Sequence, residues 1–208
     1  MSESTQLQSS HRRLVLASGS RYRAGLLQRL RIDFEITPAD IDETAQAGES
    51  GLALARRLSL EKARHIQRQQ PDTLVIGADQ TAVIEATADS EHAGRILGKP
   101  GNPETAVRQL QAMRGHTVHY HSGLALLDGQ TERIDVVTTT TRLRPLSDTE
   151  ILAYLEYDQP FDCAGSLRSE SLGISLLDEL SSDDPTALIG LPLIRLSQWL
   201  RELGLAIP

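Results

Sequence analysis

Between Leu14 and Leu30 the chain passes from four apolar residues, Leu14 to Ala17, through Ser18-Gly19-Ser20, into Leu26, Leu27 and Leu30 at helical spacing. A buried strand passing through so short a turn into an amphipathic helix is a strand–turn–helix unit, the first part of the α/β pattern that the helical crossovers and hairpin farther on complete. The turn lies at a helix N-terminus, where unpaired N–H groups and the macrodipole favour an anion. Gly19 lets a ligand approach the backbone, and Arg21 and Arg23 add charge with bidentate geometry if aimed correctly. The same residues also describe a Ser-capped helix with solvated arginines, since Ser is a preferred N-cap. The turn alone leaves both readings open.

The periodicity farther on predicts a strand over 32–38 leading into the acidic loop Asp40-Ile-Asp-Glu-Thr44, then a helix over 50–70 that ends before Pro71. Residues 73–84 read as an apolar strand interrupted by Gly77-Ala-Asp-Gln80 and then resumed, and 85–95 as a polar loop insertion. A helix over 103–113 has Asn102 as its cap and Pro103 at its first position, and 117–127 and 132–143 read as a β-hairpin turning at Asp128-Gly129. Ser147, three residues before Glu150, marks a capping box for a helix over 147–157. A small and polar segment over 161–177 returns to a strand, and a last helix runs over 188–204 with Pro192 near its start and Gly204 as its stop. Helical crossovers and a hairpin together predict a mixed sheet. With no repeat or linker to divide it, the chain reads as one domain over 14–208 after a flexible tail over 1–13.

A formal charge of −7 argues against a field that binds long DNA or RNA, which needs many Lys and Arg on phosphates. A small phosphorylated ligand needs only a local cluster. The single cysteine, Cys163, excludes an internal disulfide framework and suits a reducing cytoplasm; it reads as a small packed residue. No apolar run is long enough to span a bilayer, so no membrane partner is expected.

Asp79 sits between two apolar runs, where an unpaired carboxylate would cost several kcal/mol unless a cation met it. Lys62 and Lys99 are the only lysines in the chain. Each has a plain alternative: a structural salt bridge for Asp79, a solvated helix face for Lys62 and an exposed loop for Lys99. Asp40, Asp42 and Glu43 offer oxygen ligands for Mg²⁺ or Mn²⁺, which bind through one or two carboxylates plus substrate phosphates, although acidic runs are often only solvated. His116, His119 and His121 lack the accompanying ligands of a zinc site. Neither the Walker lysine loop nor the dinucleotide glycine pattern is present, which argues against a kinase or a dehydrogenase.

The motifs Leu16-Ala-Ser-Gly-Ser-Arg-Tyr-Arg23, Asp42-Glu-Thr44, Glu61-Lys-Ala63, Gly77-Ala-Asp-Gln80, Gly98-Lys-Pro100 and Gly190-Leu-Pro-Leu193 stand in the order found in the Maf-like nucleoside triphosphate pyrophosphatases. The resemblance covers residues 14–204. It implies a central mixed twisted sheet flanked by helices, two lobes with an active-site cleft, and kinship with inosine triphosphate pyrophosphatases. It further implies Asp79 as catalytic acid/base or metal organiser, with Lys62 and Lys99 acting on the triphosphate that Ser18, Gly19, Ser20 and Arg23 cradle. Glu43 joins Asp79 as a metal ligand for Mg²⁺ or Mn²⁺. The segment Phe161-Asp-Cys-Ala-Gly-Ser-Leu-Arg-Ser-Glu170 resembles the branch acting on 7-methyl-GTP, and the dTTP/UTP branch carries Gln where this chain has Glu170. A carboxylate can accept from the N1–H and amine of guanine, whereas an amide suits a pyrimidine imide.

Tyr22 stands where the methyl-GTP branch resembles a Trp, and its ring offers a stacking face to a methylated, cationic purine. Gln80 matches a position beside the acid that helps set specificity. Arg21 replaces the family's usual proline, and Ala24 a common second arginine. The implied reaction releases pyrophosphate and 7-methyl-GMP and clears a modified nucleotide from the cytoplasmic pool; a homodimer is admitted by resemblance. The alternatives are a dTTP/UTP pyrophosphatase and a nucleotide-binding regulator of septum formation without turnover.

Overall fold

The computed structural model describes residues 12–86 and 92–207. The tail expected over 1–13 therefore falls outside the described residues as far as residue 11, as does the middle of the 85–95 insertion. The described residues form one seven-stranded mixed sheet. Strand β1 (Leu14–Leu16) leads through Ser20 into helix α1 (Arg21–Gln28), then β2 (Glu35–Ile36), α2 (Gly51–Gln69), β3 (Leu74–Ile84) and β4 (Ile96–Leu97). Helix α3 (Pro103–Met113), the hairpin β5 (Thr117–Leu127) and β6 (Glu132–Leu143), α4 (Asp148–Asp158), β7 (Leu177–Ser181) and α5 (Leu193–Glu202) follow. The strand order is β2-β1-β3-β5-β6-β7, with β1 parallel to both β2 and β3 and the remaining pairs antiparallel.

Side-chain alternation along β1 sets the layers. Leu14 and Leu16 pack with Leu26, Leu27 and Trp199 of α1 and α5, whereas Val15 and Ala17 pack with Ala63 and Ile66 of α2. Helices thus cover both faces around β1, whose outward connection to β2 and return crossover to β3 open a crevice beyond its carboxyl end. A separate apolar cluster joins Ile84, Leu97, Leu110, Tyr120, Ile151 and Tyr154 at the far end of β3.

Three boundaries differ from the sequence expectation. Strand β3 is continuous through Gly77-Ala-Asp-Gln80, because β5 pairs with it in register from Val75 to Ile84, placing Gly77 opposite Ala125 and Asp79 opposite Gly123. What is interrupted is its other edge, where β1 pairs only as far as Ile76 and β4 begins only at Ala82. Strand β2 keeps two residues of the expected 32–38, since only Val15 and Leu16 pair with it. Helix α5 starts at Leu193 rather than 188, with Pro192 as its cap; residues Asp184 to Gly190 turn back on themselves first. The caps Asn102 and Ser147 and the Asp128-Gly129 turn stand as expected, and Ser50, read as the first residue of a helix, caps α2 instead.

Two glycines bring α2 onto the sheet. A Cβ on Gly77 would lie 2.0 Å from the Ser59 carbonyl oxygen, and one on Gly123 2.2 Å from that of Ala55. This contact carries Lys62 of α2 to the open stretch of β3.

Candidate active site

A cleft of about 590 Å³ opens at the carboxyl end of β1, lined by Ser18, Gly19, Ser20, Tyr22, Arg23, Glu43, Lys62 and Lys99. It continues into a smaller recess of about 250 Å³ that adds Asp79, Gln80, Cys163 and Glu170. The residues to which the resemblance gives a site role thus line one continuous depression, whereas of the acidic loop only Glu43, and neither Asp40 nor Asp42, lines it. Their engagements differ, and these decide what each can do.

Lys62, Asp79 and Glu43 form the centre. The Lys62 Nζ lies 2.6 Å from Asp79 Oδ1 and 2.6 Å from Glu43 Oε1. Lys62 and Asp79 are buried, while Glu43 reaches in from the exposed acidic loop. Removing one member of such a buried pair exposes the other to an uncompensated desolvation cost of several kcal/mol. Burial works against the Glu43 charge, but hydrogen bonding and attraction from Lys62, with Lys99 and Arg23 farther off, outweigh it and hold the carboxyl below its ordinary value. Arg57 fixes the loop behind Glu43. It grips Glu49 with Nε and Nη2 at 2.8 Å each and donates to the Thr44 carbonyl at 3.0 Å.

The opening turn resolves into a division of labour. Ser20 caps α1, its Oγ accepting from the Arg23 N–H at 3.4 Å, so the plain reading of this serine holds. Ser18 Oγ accepts from Arg23 Nη1 at 3.0 Å and from the Ser20 N–H at 3.3 Å. Arg23 also donates from Nε to the Gly190 carbonyl at 2.9 Å, which fixes a buried guanidinium in the cleft wall. Burial lowers its pKa against the pull of Asp79 and Glu43. A Cβ on Gly19 would meet only Pro38, at an ordinary 3.5 Å, so packing does not require glycine there, and its open side lines the cleft. Arg21 is turned across the cleft instead, donating to the Tyr22 hydroxyl at 2.8 Å and pairing with Asp162 at 3.4 Å.

Lys99 is exposed and, among the described residues, forms no ion pair, which leaves its charge for a ligand. Its loop is held from below, since the Gly98 carbonyl accepts from Gly165 N–H and Gln109 Nε2, both at 3.1 Å. Gln80 points to the opposite sheet face from Asp79 and anchors a loop. Its Nε2 donates to the Ala187 and Leu188 carbonyls at 3.0 and 2.9 Å and to Ser122 Oγ at 2.9 Å. Tyr22 is not a bare stacking face: its hydroxyl donates to Asp162 Oδ1 at 3.0 Å, and Arg21 already lies over its ring, 4.9 Å from the centroid. Burial pushes its phenol up to about 12.

Other chemistries find no support. Burial pushes the Cys163 thiol up to about 12, leaving it protonated at neutral pH and a poor nucleophile. His119 and His121 stack at 6.2 Å, with their Nδ1 atoms on Thr140 and Thr138. Among the described residues no three His, Cys, Asp or Glu converge as a self-contained metal cage. The Glu43 and Asp79 carboxylates converge instead on the Lys62 ammonium, which supplies a cation at this centre; an ion shared with substrate phosphates needs only one or two protein oxygens.

Sequence reasoning missed Asp162, Arg57, Ser122 and the backbone carbonyls of 187–190. Asp162 and the carbonyls lie in or beside quoted motifs, and adjacency was their only signal. Ser122 carried none, because its role depends on β5 bringing it beside Gln80.

A 7-methyl-GTP pyrophosphatase of Cupriavidus pinatubonensis is 50% identical over 194 residues, spanning 92% of this chain and 94% of that protein. One from Aromatoleum aromaticum is 48% identical over 198 residues, spanning 94% and 98%. A solved HAM1 protein from Coxiella burnetii is a distant likeness, at TM-score 0.43 and 20% identity over 65% of this chain and 74% of that one, and nothing is rested on it. The family model described as Maf-like protein matches residues 13–203, and the chain belongs to that family.

Proposed function

We propose that this protein is a nucleoside triphosphate pyrophosphatase that hydrolyses 7-methyl-GTP to 7-methyl-GMP and pyrophosphate, removing a modified nucleotide from the pool. The observation that carries the reading is the Lys62 ammonium held between Asp79 and Glu43 on the wall of a cleft floored by the Ser18–Arg23 turn. The names of the two relatives support the substrate, and no helix among the described residues is long and apolar enough to cross a membrane.

In this reading Arg23, the turn N–H groups and Lys99 hold the triphosphate, and Asp79 orients a water and takes its proton as the oxygen attacks the α-phosphorus. The bond from that phosphorus to the bridging oxygen breaks, and its electron pair leaves with pyrophosphate. Lys62, hydrogen-bonded to Asp79 Oδ1, holds that carboxylate aimed, and preorganised cations meet the charge that develops on the leaving group. Mg²⁺ or Mn²⁺ held by Glu43 and Asp79 would supply further neutralisation of the polyphosphate.

A panel of 7-methyl-GTP, GTP, dTTP and UTP, scored for pyrophosphate release with Mg²⁺ or Mn²⁺, tests the substrate. The methylated nucleotide is expected to lead and the pyrimidines to trail. Glu170→Gln should lower the preference for guanine over pyrimidine nucleotides by about ten- to a hundredfold, the worth of one charge-assisted hydrogen bond. A wild-type preference for dTTP or UTP contradicts the base assignment, and release from none of the four contradicts the activity.

A further inference from the structure

One guanidinium connects Tyr22 and Glu170, the two recess side chains that the 7-methyl-GTP reading sets against the base. The Arg168 Cζ lies 5.7 Å from the Tyr22 ring centroid, and its Nε stands 3.5 Å from Glu170 Oε1. These are the two interactions that a 7-methylguanine cation would use: a positive charge over an aromatic ring, and N–H groups toward a carboxylate. Arg21 also lies over Tyr22, but it has an anion of its own in Asp162. The anion of Arg168 is the carboxylate that the base needs.

The backbone of Arg168 is fixed while its head is loosely held. Its N–H donates to the buried Tyr154 hydroxyl at 2.9 Å, and Gly173 packs so closely that a Cβ would lie 2.4 Å from the Arg168 carbonyl oxygen. The guanidinium, by contrast, has one long hydrogen bond, from Nη1 to the Asp158 carbonyl at 3.4 Å, and its Nε is a buried donor without a hydrogen-bond partner. A side chain so anchored can swing away without disturbing the fold.

We propose that Arg168 is a specificity-determining residue that stands in for the substrate's base, occupying the Tyr22 and Glu170 subsite in the free protein and yielding it when nucleotide enters. The proposal rests on the 7-methyl-GTP reading above. Every guanine nucleotide must displace Arg168 from Glu170, and a cationic base is also repelled by it. The side chain therefore tempers the preference for the methylated base.

The test compares kcat/KM for 7-methyl-GTP and GTP in the wild type, Arg168→Gln and Arg168→Lys, with Arg168→Met replacing the glutamine variant if that one does not fold. Losing the cation should raise the ratio of methylated to unmethylated substrate by about three- to tenfold, the range set by a cation–aromatic contact. The lysine variant, which keeps the charge, should stay near the wild-type ratio. Inhibition by inorganic tripolyphosphate, which has no base, should be the same in all. A ratio that is unmoved or falls in the neutral variants, an equal rise in the lysine variant, or altered tripolyphosphate inhibition overturns the proposal. If the wild type turns over 7-methyl-GTP but the ratio does not move, only this inference fails; if it does not turn over 7-methyl-GTP, the parent reading fails with it.

Discussion

Asp79→Asn is expected to cut pyrophosphate release by about 10²–10⁴-fold, the usual contribution of a positioned general base. The change is nearly isosteric. An amide oxygen can still accept from Lys62, whose charge is still met by Glu43 at 2.6 Å, so the buried centre keeps an anion and its geometry. What is lost is a group able to take a proton from water. Activity should therefore fall far more than stability, and kcat measured beside a thermal melt on the same preparation separates the two. A variant within tenfold of the wild-type rate would remove Asp79 from the chemistry.

Lys62→Met should show the opposite balance, losing both properties. With the ammonium gone, Asp79 is a buried carboxylate without its nearest cation, and the exposed Glu43 can turn to water while Asp79 cannot. Breaking such a pair costs about 3 kcal/mol, which in a domain of this size lowers the melting temperature by roughly 6–12 °C. The pH dependence of stability should change as well. Because the folded protein holds Glu43 below its ordinary value, this carboxyl stabilises the fold at neutral pH, and that contribution is lost as pH falls through the depressed value. The variant should show less of this acid-side loss, Lys99 and Arg23 alone still acting on Glu43, and urea melts at neutral pH and below the ordinary value of 4.5 would reveal it. Unchanged melting at neutral pH would mean that Asp79 finds another partner.

Local signals carried much of this architecture. The caps at Asn102 and Ser147 and the Asp128-Gly129 turn depend on side chains within a few residues of the backbone they satisfy, so the sequence displays them directly. The residues given site roles through motif order, from Ser18 to Glu170, line one depression. What stayed hidden was decided by register and by distance along the chain. Gly77-Ala-Asp-Gln80 reads as an interruption because small and polar residues stand there between two apolar runs. Pairing with β5 keeps β3 intact, and the gap lies between β1 and β4 on its other edge. Gln80 could not be separated from a base-contacting residue until its amide was found on the carbonyls of 187 and 188. Arg168 lies inside the Phe161–Glu170 motif, yet its partner Tyr22 stands far from it along the chain, in the first helix.

Hydrolysis of 7-methyl-GTP in water carrying heavy oxygen tests the central claim most directly, because it reports which phosphorus is attacked. Attack at the α-phosphorus, with Asp79 aiming the water, places the label in 7-methyl-GMP and releases unlabelled pyrophosphate. Label in the pyrophosphate, or release of orthophosphate with a nucleoside diphosphate, would contradict it.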